Sequence, residues 1–534
     1  MAVAVGDLAT RPPYRGRSMT QTNRPDLVLM HPPAVFDFRE RPLNHWMLSK
    51  AVDTNPVFEY FPVGFISTLD YLEERGRTVR LANMAIKMQD RGFDPRCFVR
   101  EHEPLLFGID LHWCQHADGA LRLARVCKHE HPDIPVVLGG LSSTYFWREL
   151  IQNPDVDFIL RGHTTEEPLA HLLACLEQKR NPSDVPNLIW KRNGEPVENP
   201  FSHRPTVLTT KINYQRLFQH WRRTHDLKGS LLTGQHWPVY CANLLLFCKG
   251  CVENCAICGG SNWAQGLTET PLWDIEVLTD MCTTARNLTK FPIRLPGDIR
   301  QGDAQGFLSA LKRRRFTGAI HFDFFRPAEA DFCRAIADAV PEPQGCIGPV
   351  THDEKLRELY GMPYDNESLE RSIQAFLDVG GKMDVFFYIG IPGQTVDSAK
   401  QTTDYCLRLI ERFSTARKGN RFDANVTCLA PFIDPGSLAY TYPEKYGYRL
   451  RARTVAEHRA LMRQPEWWDT LNYESVAMSR FELAQVTLDA EARITRARAD
   501  RGLYPRRYAK KDLKRLEGEA ARLEDSMLAA DERR

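Results

Sequence analysis

The 534 residues carry 70 Lys plus Arg against 68 Asp plus Glu, a formal charge of +2, with 43% apolar and 26% charged residues. Such a balance argues against a protein whose main task is to grip nucleic acid or an anionic membrane. No apolar run approaches the ~20 residues of a bilayer span, and the length leaves room for three or four domains of roughly 150 residues each.

Residues 1–25 hold Arg and Pro but no apolar h-region, and read as a disordered tail rather than a signal peptide. From 26 to 178 short apolar runs alternate with amphipathic stretches. Leu27 to Met30, Thr78 to Ala82, Leu105 to Ile109, Pro135 to Leu138 and Asp157 to Leu160 read as strands. Between the first two, Phe65, Ile66, Leu69 and Leu72 keep helical spacing and Gly76 offers a stop. Strand–helix alternation at this pace predicts a parallel, doubly wound α/β sheet whose ligands lie beyond the carboxyl ends of the strands. Residues 179–240, rich in Pro, Asn, Arg and Trp, read as a connector.

From 241 to 440 the alternation returns. Strands are expected at Asn243 to Phe247, Pro292 to Leu295, Ala319 to Phe325, Ile347 to Val350, Val385 to Ile389 and Asn425 to Leu429. Helices are expected at 303–314, 327–339, 366–379 and 396–413. Six such repeats predict a partial or full parallel β/α barrel. Residues 441–534 form a helical, charged C-terminal region, and the stretch from Lys510 reads as a solvated terminal helix. Trp467, Trp468, Tyr473 and Phe481 either cap a cavity or, the favoured reading, pack helices together.

Fourteen cysteines decide more than the rest of the composition. Nine are scattered singly and five fall between 241 and 258, a pattern of free thiols around one metal or cluster site in a reducing compartment, taken as the cytoplasm. Two readings of the cluster compete. Cys248, Cys251, Cys255 and Cys258 could make a tetrahedral zinc site, although three residues between the middle ligands are too few for two separate knuckles. Alternatively Cys251-x3-Cys255-x2-Cys258 holds three corners of a cubane and leaves the fourth iron open. Cys248 is then a small buried residue on the preceding strand.

This spacing, directly after a strand, resembles the radical S-adenosylmethionine (SAM) superfamily. Phe386-Phe-Tyr-Ile-Gly390-Ile-Pro-Gly393-Gln-Thr395 is similar to its fifth strand and turn, Leu295-Pro-Gly297-Asp298 to its amino-group motif, and Leu429-Ala-Pro431 with Asp434-Pro-Gly436 to its sixth strand. The residue before the third cysteine, usually aromatic there, is Ile257. The resemblance implies a 4Fe-4S cluster on Cys251, Cys255 and Cys258. It implies SAM held by Gly297 and Asp298 at its amino-acid end and by Gly390 and Ile391 near the adenine. It also implies an electron donor such as a flavodoxin or ferredoxin, and reductive cleavage to a 5′-deoxyadenosyl radical. Asp298 has a plainer role as a helix N-terminal acid.

The N-terminal domain resembles the cobalamin-binding domains of cobalamin-dependent radical SAM enzymes at His31-Pro-Pro33, Gly139-Gly140-Leu-Ser-Ser-Thr144 and Arg161-Gly-His-Thr-Thr-Glu166. It implies cobalamin contacts at His31, Pro32, Gly139, Gly140, Ser142, Ser143 and Gly162. Asp110-Leu-His112 looks like a cobalt-ligating histidine signature, but it follows the third strand and lacks the expected glycine. His112 is therefore not the usual cobalt ligand; it is read first as a satisfied loop histidine, and alternatively as a cobalamin contact facing the corrin from a neighbouring loop. The implied activity is methylation of an unactivated carbon of a small-molecule or peptide substrate. Rearrangement, cyclisation or ring contraction without methyl transfer is the alternative, and a cluster- and cobalamin-based sensor a remote third.

Overall fold

The computed structural model describes residues 24–41, 43–44, 63–230, 243–415, 419–428 and 433–531. Residues 1–23 of the expected tail and the segment Leu429-Ala-Pro431 lie outside them.

The first sheet begins with β1 (Leu27–His31), β2 (Val79–Asn83), β3 (Leu106–Asp110), β4 (Val136–Gly139) and β5 (Phe158–Leu160). They run parallel in the order β2-β1-β3-β4-β5, the doubly wound arrangement, with the reversal of order between β1 and β3. All five residues of β1 and of β3 are buried, because helices such as Gly64–Glu73 and Ala117–Glu130 cover both faces. The expected connector does more than connect. Its β6 (Leu188–Arg192) and β7 (Glu195–Glu198) extend the sheet antiparallel beyond β5, through a turn at Asn193-Gly194 where both residues have positive φ.

The second sheet contains β8 (Asn243–Leu244), β9 (Ile293–Leu295), β10 (Ala319–Phe324), β11 (Glu342–Val350), β12 (Lys382–Ile389) and β13 (Phe422–Cys428), all parallel and in chain order. β8 and β13 stay at opposite edges, so the barrel is partial. The expected helices appear at Ala304–Arg313, Ala330–Ala339, Asn366–Asp378 and Val396–Phe413. Asp303, Asp365 and Thr395 cap three of them by accepting a backbone N–H three residues on.

In the C-terminal region the helix Arg480–Asp500 closes on β13: Arg498 bonds Asp423 at 2.7 Å and Asn425 at 2.6 Å. The terminal helix Arg506–Asp531 is not simply solvated, since it buries Ala509, Leu516 and Leu523 against the first. Trp467, Trp468 and Tyr473 are fully buried packing residues.

Candidate functional site

The cluster loop starts where β8 pairing ends. The strand is shorter than expected, and Cys248 stands beyond it, bridged to Leu272. Cys248 is buried beneath Gly297, where an added Cβ would meet its sulfur at 2.8 Å. The loop is then fixed from several sides. Asn262 N donates to Cys251 O at 2.9 Å, Ala256 N to Tyr360 O at 2.9 Å, and Gly259 N to Asp434 Oδ2 at 2.9 Å. Glu253 is paired with Arg326 at 2.8 Å. Gly259 has to be glycine, because a Cβ there would stand 2.8 Å from that of Asp434.

Burial pushes the Cys251 thiol up to about 11 and Cys258 to about 12. Cys255 is raised by burial first and then by the other two thiols. Binding a metal takes the place of the proton on such thiols. Three cysteines presented from one short loop make an all-thiolate donor set for three corners of a cubane, with the fourth corner left to another ligand.

Of the positions expected to hold SAM, Gly297 packs on Cys248 at the start of this loop, and Gly390 packs on Leu483 and Tyr473. Gly297 follows β9 with φ +101°, and Gly390 follows β12 with φ +98°. Gly390 is clamped by two bonds, from its N to Gln394 Oε1 and from Tyr448 Oη to its O, both 2.8 Å. Ile391 is fully buried. Asp298 plays its plainer role: it caps the turn Ile299–Gln301 and binds Arg300 and Phe325 N at 2.6 and 2.9 Å. On the inner face of the barrel Arg294 binds Asp323 at 2.6 Å, and the Cys346 thiol donates to Asp323 at 2.9 Å. His321, Asp323 and Cys346 converge as metal ligands would, but the Arg294 guanidinium lies among them.

Between the sheets lies a cavity of about 500 Å³. Gly108, Ile109, Gly139 and Gly162 wall it at the strand ends of the first sheet; Leu246, Cys248, Lys249, Gly250 and Gly260 wall it from the cluster loop. Its lining is mostly apolar, with a few polar groups, the usual make-up of a cofactor site. Gly139 leaves open space where a Cβ would be, and Gly140, at φ +114°, lets the turn pass close to the His112 backbone, which an added Cβ would meet at 2.6 Å. His163 in the wall has its Nε2 buried without a protein partner, and burial lowers its pKa to about 4. An unmet polar atom beside an apolar cavity suits a large ligand rimmed with amides, as cobalamin is.

Not every expected contact reaches this cavity. His112 and the three glycines line it; His31 and Pro32 do not. His31 is wholly buried, with Nδ1 3.0 Å from Asp110. The hydroxyls of Ser142 and Ser143 turn back to His112 O and Gly140 O, as hydroxyls in a first helical turn do. Three residues not expected as contacts also belong to the site, two of them inside the motifs at Arg161 to Glu166 and Asp434 to Gly436. Asp434 holds the cluster loop, and burial raises its pKa to about 6. Lys249 and Glu166 meet at 3.5 Å inside the cavity wall.

The B12 binding domain family matches residues 49–173. The chain carries that domain ahead of a partial barrel with a three-cysteine loop, the fold of the cobalamin-dependent radical SAM enzymes. Among solved structures it is similar to the radical S-adenosylmethionine methyltransferase TsrM from Kitasatospora setae, crystallised with tryptophan and aza-SAM. The TM-score is 0.57 at 15% identity, over 80% of this chain and 79% of that one. It is also similar to OxsB, a cobalamin-dependent SAM radical enzyme with aqua-cobalamin and SAM bound, with TM-score 0.56 at 12% identity over 92% and 72% of the two chains. Among curated proteins, the anaerobic magnesium-protoporphyrin IX monomethyl ester cyclase of Synechocystis sp. is 26% identical over 146 residues. The match spans 27% of this chain and about a quarter of that relative's length. No helix among the described residues is long and apolar enough to cross a membrane.

Proposed function

We propose that this protein is a cobalamin-dependent radical SAM enzyme that methylates an unactivated carbon. One observation carries the reading: a single cavity is walled on one side by the strand ends of the B12 binding domain and on the other by the cluster loop. When bound there, the cluster with SAM supplies a 5′-deoxyadenosyl radical, and cobalamin supplies a methyl group that can pass to a carbon radical.

The chain's own groups do the positioning. Cys251, Cys255 and Cys258 present three thiolates from a loop braced by Asn262, Tyr360 and Asp434. Gly297 and Gly390 hold the positive-φ turns after β9 and β12, where Cys248 in the one case and Leu483 and Tyr473 in the other leave no room for a side chain, and their main-chain groups would hold SAM. Gly139, Gly140 and Gly162 line the cavity that would take the corrin, and Gly139 leaves open space beside it. The half-open inner face, with Arg294, Asp323 and the half-exposed Asp384, is the surface on which a substrate would lie. Methyl transfer is put ahead of rearrangement because TsrM, whose fold is shared over four-fifths of the chain, is a methyltransferase; OxsB shares the fold equally, so the labelling test decides.

The test is product analysis with SAM labelled in its methyl group, reduced protein, added cobalamin and candidate substrates. Label in the product together with 5′-deoxyadenosine supports methylation. 5′-Deoxyadenosine formed with an unlabelled, altered product contradicts methyl transfer and favours rearrangement.

A further inference from the structure

Lys249 lies between Cys248 and the first cluster thiolate, on the barrel side and outside the residues that match the B12 binding domain. Its backbone N is fixed to Pro271 O at 3.0 Å, and its side chain turns into the cavity wall. There its ammonium lies 3.5 Å from Glu166 Oε1, with side-chain exposures of 12% and 4%. Glu166 opens the helix Glu166–Glu177 of the N-terminal domain. Ser67 Oγ donates to it at 2.6 Å and Thr165 N at 3.0 Å, so it cannot follow the lysine if the lysine moves. A buried charge deprived of its partner is strongly unfavourable. The place of Glu166 therefore fixes the place of Lys249, and with it the segment that enters the cluster loop. Residues 248–250 line the same cavity, so whatever fills the cavity touches that segment directly.

We propose that the Glu166–Lys249 pair couples the two cofactor sites: an ordered cluster loop completes the wall of the cobalamin cavity, and a filled cavity holds the loop in its cluster-binding form. This rests on the function proposed above. Coupling between binding sites is reciprocal, so it can be read from either side.

The experiment titrates hydroxocobalamin, followed by absorbance, into cluster-loaded wild-type protein and into the cluster-free Cys255→Ala variant. Wild type is expected to bind about five- to 150-fold more tightly with its cluster, the usual range for coupled sites. In Lys249→Met the same comparison, made before and after cluster removal, is expected to give a factor near one. The charge-swapped Glu166→Lys, Lys249→Glu protein is expected to recover part of the coupling, which a merely structural role for either side chain would not produce. Ser67→Ala, which only loosens Glu166, is expected to give an intermediate factor and decides the matter if Lys249→Met does not fold. An unchanged factor in Lys249→Met and Ser67→Ala, or a factor of one in wild type, overturns the coupling alone. Wild-type protein that takes up neither cubane nor hydroxocobalamin overturns the proposed function, and the coupling falls with it.

Discussion

The two sheets solve the burial problem differently. In the first, β1 and β3 are buried at every position, so neither face is open to a ligand and only the loops at the strand ends can bind one. In the second, β12 alternates: Met383, Val385, Phe387 and Ile389 are buried against helices, and Asp384, Phe386 and Tyr388 look into the half-open interior. The first sheet is a wall with a binding edge; the second offers a whole face. The cavity sits where that edge meets the loop that opens that face. Both regions bury thiols that burial keeps protonated, and the first also buries His31 and His220, kept neutral.

The contrast breaks most completely at the cluster. Cys255→Ala removes one of three thiolates, so iron content and SAM cleavage are expected to vanish together, with the first sheet intact by circular dichroism. Retention of a full cubane would refute the ligand set. Next in size is the binding edge. Gly140→Ala adds a Cβ within 2.7 Å of the Leu111 and His112 backbone at φ +114°, and is expected to cost about 3 kcal/mol in urea unfolding with cluster content unchanged.

The histidines predict which region yields to acid. Burial lowers both His31 and His220 to about 3, and His220 Nε2 accepts the amide of Leu81 on the edge strand β2. The unfolded chain, with histidine near 6.5, binds more protons below that pH than the folded one. Stability is thus full above about 6.5 and falls as pH drops towards 3. Amide exchange is expected to quicken in the first sheet before the second between pH 7 and 5; the reverse order would contradict it. The smallest effect belongs to Cys248→Ala, which is expected to cost about 1 kcal/mol and leave SAM cleavage largely intact. Complete loss would move a cluster bond to Cys248.

Much of this was legible in the chain. The five strands before Gly162 and the helices from Ala304 onward stand within a few residues of where apolar runs and caps place them, because period and capping are local properties. Three cysteines in eight residues made the cluster loop visible for the same reason. What stayed hidden is long-range. Asp434 reaches Gly259 across 175 positions, and Glu166 meets Lys249 only once the two domains pack. β6 and β7 were lost in a stretch whose apolar residues, Leu188, Ile189 and Trp190, are too few to show a period. Ser142, Ser143 and Asp298 have the chemistry of a ligand contact, and each also satisfies a helix or turn start, a second role that is local and equally legible.

The central claim is that the cluster leaves one iron open to SAM. Electron paramagnetic resonance of the reduced, anaerobically reconstituted protein tests it directly. A cubane signal that changes shape when SAM is added is the predicted result; a signal indifferent to SAM, or zinc in place of iron, contradicts it.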